Sequence, residues 1–133
     1  MPAVYKDNQL LAVYGDCRHM EDGRHFWSAD EDPLQWAAYN LAQGIKIQPH
    51  VHKKRNRQFA CKTTEMFVVL AGKLRANIYD LNRASAAVLM IEAGGWLCCY
   101  DGGHGFEIME NGTKFLEVKL GPFVGVDEDK ERF

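Results

Sequence analysis

Short apolar or alternating runs of residues, separated by turn residues, make up most of this chain. Helical periodicity is scarce, and runs of this kind are typical of strands. The clearest alternation is in residues 73–79, where Leu74, Ala76 and Ile78 are separated by mostly polar neighbours, as in a half-buried strand. The pattern predicts an all-β fold. Its predicted strands cover residues 10–14, 36–41, 45–52, 65–70, 73–80, 87–91, 96–100, 105–110 and 114–120.

Glycine-containing pairs stand between the predicted strands. Asn111-Gly112 is the strongest hairpin signal among them, because both residues tolerate the positive φ of a type I′ turn. Many short antiparallel strands close best as a double-sheet jelly roll or barrel, and the length of 133 residues fits one domain. We expect a single domain over residues 1–133. Residues 1–33 form a partly irregular arm in it, and the polar stretch 17–33 is predicted to be a loop or a dimer arm.

Composition and charge narrow the classes of function. Hydrophobic residues make up 47% of the chain and charged residues 26%, and the net charge is −2, so no basic field attracts nucleic acid. No apolar run approaches the roughly 18 residues of a membrane span, and residues 1–16 lack a secretory signal. The four cysteines show no CxxC spacing, which indicates reduced thiols. We expect a cytoplasmic protein without a nucleic-acid or membrane partner.

A candidate set of metal ligands begins with His50-Val51-His52 and continues with Glu65 and His104. Histidines at positions i and i+2 of a strand project from the same face. Imidazole nitrogens together with a carboxylate suit Zn, Fe, Mn, Ni, Co or Cu better than Mg or Ca. The set therefore predicts one divalent transition-metal ion of unspecified identity.

Each of these side chains also has an ordinary alternative role. A lone buried histidine is usually a satisfied core residue or a general base, and Glu65 could form a salt bridge at a sheet edge. A chain without metal could use the same residues for hydrogen bonding or for acid/base work. Both interpretations stay open at this level.

The spacing of the candidate ligands follows two motifs. The first reads G-x5-H-x-H and later E-x6-G, and it is matched by Gly44, His50, His52, Glu65 and Gly72. The second combines a glycine turn with a histidine, and it is matched by Gly95, Gly103 and His104. Together these motifs, over residues 44–111, resemble those of the cupin superfamily. The resemblance implies a single-domain cupin-type jelly-roll β-barrel (double-stranded β-helix) that binds a metal through His50, His52, Glu65 and His104.

The chain departs from the common cupin pattern in two places. Twelve residues separate His52 from Glu65, which is more than usual, but a longer loop costs little because closure entropy rises slowly with length. In the second motif, Asp101 stands where proline is common, the glycine-to-histidine spacing is short and the final asparagine is missing. His104 is nevertheless the only histidine downstream of Glu65.

Two further segments, residues 102–107 and 117–133, resemble small single-domain cupins found near genes of surface-polysaccharide or nucleotide-sugar biosynthesis. This resemblance implies a metalloenzyme, isomerase- or epimerase-like, acting on a small polar substrate such as a sugar or nucleotide sugar. One alternative is a metal-containing sugar-binding or accessory protein of polysaccharide synthesis without enzymatic activity. Another is an Fe-dependent dioxygenase.

Candidate substrate-binding and catalytic residues surround the motifs. Arg55 and Arg57 could hold the phosphate or carboxylate of an anionic sugar derivative, although a solvated loop would have the same composition. Trp36 and Phe106 could stack on a sugar ring, although aromatic residues more often fill cores. Tyr100 is the candidate acid/base residue because it lies near His104 in sequence. A homodimer is expected, since small jelly rolls commonly cover their edge strands by pairing.

Overall fold

The computed structural model describes residues 1–53, 56, 60–122 and 124–133. The chain divides there into two compact units, Met1–His19 with Lys62–Phe133, and Met20–Cys61. The elements are β1 (Ala3–Lys6), β2 (Gln9–Asp16), a 3-10 turn (Cys17–His19), β3 (Gly23–Phe26), β4 (Ala37–Asn40), β5 (Glu65–Ala71), β6 (Lys73–Tyr79), β7 (Ser85–Glu92), β8 (Gly95–Cys99), β9 (Gly103–Ile108), β10 (Lys114–Lys119) and α1 (Val126–Asp129). No helix in this part of the chain is long and apolar enough to cross a membrane.

The first unit contains two antiparallel sheets. One has the strand order β1-β2-β8-β5-β10 and the other has the order β7-β6-β9. Consecutive strands change sheet at the connections β5–β6, β7–β8, β8–β9 and β9–β10. The second unit contains the hairpin of β3 and β4. Among the described strands, none of the three sheets closes on itself.

The two sheets of the first unit share one hydrophobic core. Strand β8 is buried along its whole length because it lies between β2 and β5. In β6, Leu74, Ala76 and Ile78 face the core and their neighbours are half-exposed, as the alternation predicts. Both sheets contribute to the buried cluster Val4, Leu11, Ala12, Phe67, Val69, Leu74, Ala76, Ile78, Ile91, Leu97 and Cys99. This arrangement is compatible with a β-sandwich.

The prediction of an all-β fold is confirmed, and the strand positions agree in most places. Each predicted strand from residue 65 onwards overlaps an observed one, as do residues 10–14 and 36–41. Residues 45–52 were predicted as a strand but form none. Pro49 lacks the N–H that a ladder needs, and the apolar Ile45, Ile47 and Val51 are exposed, so no buried face fixes a register there.

Two local predictions differ from the structure for identifiable reasons. Asn111-Gly112 does not close a hairpin, because β9 and β10 belong to different sheets. The hairpin of β1 and β2 was not predicted, although Asp7 and Asn8 form its two-residue loop with φ values of 49° and 64°. The stretch 17–33 is not wholly irregular, since it contains β3.

All four cysteines are free thiols. Cys98 and Cys99 are buried and lie on successive positions of β8, whose side chains alternate between its two faces. Cys17 and Cys61 are exposed. Burial raises the pKa of the Cys99 thiol, so this side chain stays neutral.

Candidate functional site

The structure brings together two of the predicted ligands, Glu65 and His104. Glu65 is the first residue of β5 and His104 the second residue of β9, so the two side chains come from different sheets. Glu65 Oε2 lies 2.7 Å from His104 Nε2. The Glu65 side chain is 8% exposed and that of His104 is 26% exposed. The pair is therefore shielded on the glutamate side and open to a small molecule on the histidine side.

The electrostatics of the pair favour an ionised carboxylate. A carboxylate only accepts hydrogen bonds, so His104 Nε2 carries the hydrogen and donates it to Glu65. This hydrogen bond holds the pKa of Glu65 below its usual range, against the raising effect of burial. Smaller lowering effects come from the charge of His104, from a hydrogen bond with the Glu117 carboxyl and from the charge of Lys130.

An aromatic wall stands beside the pair. The His104 ring packs against Phe67, with ring centroids 5.5 Å apart, and against Phe106, at 5.7 Å. Phe67 and Phe106 form an edge-to-face pair at 4.6 Å, and Phe115 lies 6.5 Å and 6.3 Å from them. Phe106 is half-buried against the core cluster. The predicted substrate-binding residue Phe106 thus lies next to the Glu65–His104 pair.

The other predicted metal ligands, His50 and His52, belong to the second unit. Both are exposed, and their ring centroids are 5.1 Å apart at an interplanar angle of 74°. His50 Nδ1 lies 3.0 Å from the carbonyl oxygen of Gln48. The two imidazoles therefore approach each other as the motif predicts, although not from a strand. Among the described residues, no three His, Cys, Asp or Glu side chains form a group that could hold a metal ion.

The remaining predicted site residues occupy different places. Tyr100 follows β8, and its backbone N–H donates to the carbonyl oxygen of Leu11 at 2.8 Å. Trp36 belongs to the second unit, where its ring packs edge-to-face against Trp27 at 5.7 Å. Arg55 and Arg57 lie outside the described residues. The roles of these four residues in binding or catalysis stay predictions.

Glu117 and Lys119 were not among the predicted site residues. Strand β10 pairs with β5 so that Glu117 lies opposite Phe67 and Lys119 opposite Glu65. Directly paired residues point to the same side of a sheet, so both side chains share the face of Glu65. The alternation of residues 114–119 could have placed them on one face, but the sequence does not indicate that β10 pairs with β5.

The low pKa of Glu65 predicts a specific dependence of stability on pH. The folded-state pKa lies below the unfolded value of about 4.3. The stabilisation is therefore present above that value and lost as pH falls through the folded pKa. We expect wild type to lose more free energy of unfolding than Glu65→Gln between about pH 7 and about pH 3.5. Urea unfolding of both proteins at several pH values measures this difference.

The exposed Glu107, also on β9, provides the matched control, because Glu107→Gln removes one carboxylate without touching the pair. Equal losses of stability in wild type and Glu65→Gln would contradict a role of the ionised Glu65 in the fold.

Comparisons with known proteins identify no relative. No family model matches the chain, and neither does any curated protein or solved structure. The resemblance to cupins therefore depends on the motif residues alone.

Proposed function

We propose that the chain is a metal-binding cupin in which Glu65 and His104 are two of the metal ligands. The observation that carries this proposal is the 2.7 Å approach of Glu65 Oε2 to His104 Nε2, from strands of two different sheets. Neighbouring ligand atoms of one ion, each bonded at about 2.1 Å, lie about 3 Å apart. The donor atoms therefore already have the separation that a shared ion requires.

The finer fold proposal is a cupin-type jelly-roll β-barrel. The connections β5–β6, β7–β8, β8–β9 and β9–β10 pass repeatedly from one sheet to the other. Double-sheet jelly rolls are built with such crossings. In this proposal His50 and His52 provide the remaining imidazole ligands.

The proposed substrate is a small polar molecule such as a sugar or nucleotide sugar. A bound divalent metal would polarise a carbonyl or hydroxyl group as a Lewis acid. Phe67 and Phe106 would exclude water beside the pair and offer apolar faces to a sugar ring. Arg55 and Arg57 would hold an anionic group, and Tyr100 would act as an acid or base. An isomerase- or epimerase-like reaction agrees with these groups, as does a sugar-binding role without turnover. A cytoplasmic homodimer remains a prediction.

A second candidate function is metal-free proton transfer by Glu65 and His104. The observation that favours it is the direct hydrogen bond between the two side chains. Because Nε2 donates to an ionised carboxylate, Nδ1 is left as the nitrogen that can accept a proton from a substrate. Glu65 would orient the imidazole and stabilise its protonated form.

Metal content of the full chain, purified without chelator, distinguishes the two candidates. Plasma mass spectrometry is expected to find about one equivalent of Zn, Fe, Mn, Ni, Co or Cu per chain. A metal-depleted sample is then titrated with each ion in turn, because an expression host can load the wrong one. Failure to bind any of the six ions would overturn the metal proposal and leave the acid/base pair.

A further inference from the structure

The last residues of the chain pass close to the Glu65–His104 pair. Their first anchor is Asp129, whose Oδ1 accepts a hydrogen bond from Thr63 Oγ1 at 2.6 Å. Lys119 Nζ lies 3.9 Å from Asp129 Oδ2. Thr63 precedes Glu65 by two residues, and Lys119 is paired with Glu65 across the sheet. This anchor therefore lies next to Glu65 on the five-stranded sheet.

The second anchor lies on the three-stranded sheet, next to His104. The Phe133 ring packs edge-to-face on Tyr79, with centroids 5.0 Å apart, and the Arg83 guanidinium lies 5.2 Å from the same ring. Arg83 Nη2 also lies 2.8 Å from Glu131 Oε2. Tyr79 is paired with Gly103, the residue before His104. A Cβ on Gly103 would lie 2.7 Å from the Phe133 ring, so the ring covers this glycine closely.

The segment between the anchors crosses from one sheet to the other at the end of the unit that holds the pair. Lys130 lies within this crossing, and its charge acts on the Glu65 carboxylate. The crossing is thus close enough to the pair to affect it electrostatically.

We propose that residues 126–133 form a strap that closes the Glu65–His104 site and opens by release of Glu131 and Phe133. The strengths of the two anchors support this direction of opening. The Thr63–Asp129 hydrogen bond is partly buried, whereas the side chains of Arg83 and Glu131 are 49% and 78% exposed. Exposed ion pairs and cation–π contacts are weak, so the Phe133 end can detach while Asp129 stays bound. Loops that close over sites commonly gate access in this way.

Site-resolved labelling of His104 with diethyl pyrocarbonate tests the strap. The full chain is depleted of metal, labelled, digested and measured by peptide mass spectrometry. Removal of residues 131–133 is expected to speed labelling of His104 by about fivefold or more, since each exposed contact shifts a local equilibrium by roughly two- to fivefold. His25, in the second unit, is the internal reference and keeps its rate.

Charge exchange provides the second test. Arg83→Glu and Glu131→Arg are each expected to speed labelling of His104, and the double variant is expected to restore most of the wild-type protection. Glu128→Ala, an exposed change within the strap, is the matched control and leaves the rate unchanged. Thermal unfolding verifies that each variant is folded, and the charge exchange decides the question if the shortened chain does not fold.

An unchanged rate at His104 in a folded chain lacking residues 131–133, or in both single charge variants, would overturn the strap. The strap gains its functional meaning from the proposed site. Its test nevertheless uses neither metal nor substrate, so its failure is distinguishable from a failure of the metal proposal.

Discussion

Replacing His104 with alanine is expected to weaken transition-metal binding by at least about 100-fold, because a lost ligand costs more than the 10- to 100-fold effect of a lost outer-shell partner. The substitution removes an imidazole nitrogen that lies 2.7 Å from Glu65 Oε2 and leaves a carboxylate that is 8% exposed without its hydrogen-bond donor. Competition with a chelator of known affinity, using Zn²⁺ or Co²⁺ on metal-depleted protein, measures the loss.

Two further variants make this prediction specific. Glu65→Gln is expected to weaken metal binding in the same way, because an amide oxygen is a poorer ligand than a carboxylate. His25→Ala is the control: its Nε2 lies 2.9 Å from the carbonyl oxygen of Glu21, and it falls outside both motifs. Binding by the His104 variant as tight as that of wild type would exclude His104 as a ligand. It would favour the acid/base interpretation of the pair.

Gly72→Ala is expected to lower the free energy of unfolding by about 2–4 kcal/mol, a large part of the roughly 5–15 kcal/mol typical of a domain. Gly72 has φ of 76°, and a Cβ there would lie 2.3 Å from Thr113 Oγ1 and 2.7 Å from Thr113 Cα. The left-handed backbone costs about 1–2 kcal/mol for alanine, and the clash adds a cost of the kind seen on overpacking, about 1–3 kcal/mol. Urea unfolding near neutral pH measures the change.

Gly112 separates the two contributions. Its φ is 75°, but a Cβ there meets nothing within 4 Å. Gly112→Ala therefore reports the backbone cost alone, and the difference between the two variants reports the clash with Thr113. Equal destabilisation by both substitutions would show that the β5–β6 turn relaxes away from Thr113.

Local sequence patterns predicted those parts of the fold that depend on local physics. The alternation of Leu74, Ala76 and Ile78 was sufficient for β6, because a half-buried strand imposes a period of two on its own sequence. The pairing of strands was not predictable in this way. The loop at Asn111-Gly112 has the residues of a hairpin turn, yet its flanking strands join different sheets, since distant partners determine where each strand pairs.

The candidate site shows the same division. The motif spacing brought Glu65 and His104 together in advance, although no local rule joins residues on different sheets. It did not indicate Glu117, which reaches Glu65 only because β10 pairs with β5. The strand predicted for residues 45–52 relied on alternating apolar residues, and without a buried face this alternation did not produce a strand.

The crossings between sheets have a kinetic consequence for the first unit. Strand β8 pairs with β2 and β5, which are distant in sequence, and only the β1–β2 and β6–β7 pairs of this unit join consecutive strands. Neither sheet can therefore grow by adding hairpins one after another. Long loops must close before most pairings contribute stability, which is characteristic of high contact order. We expect this unit to fold slowly for its size and to form both sheets in one cooperative step.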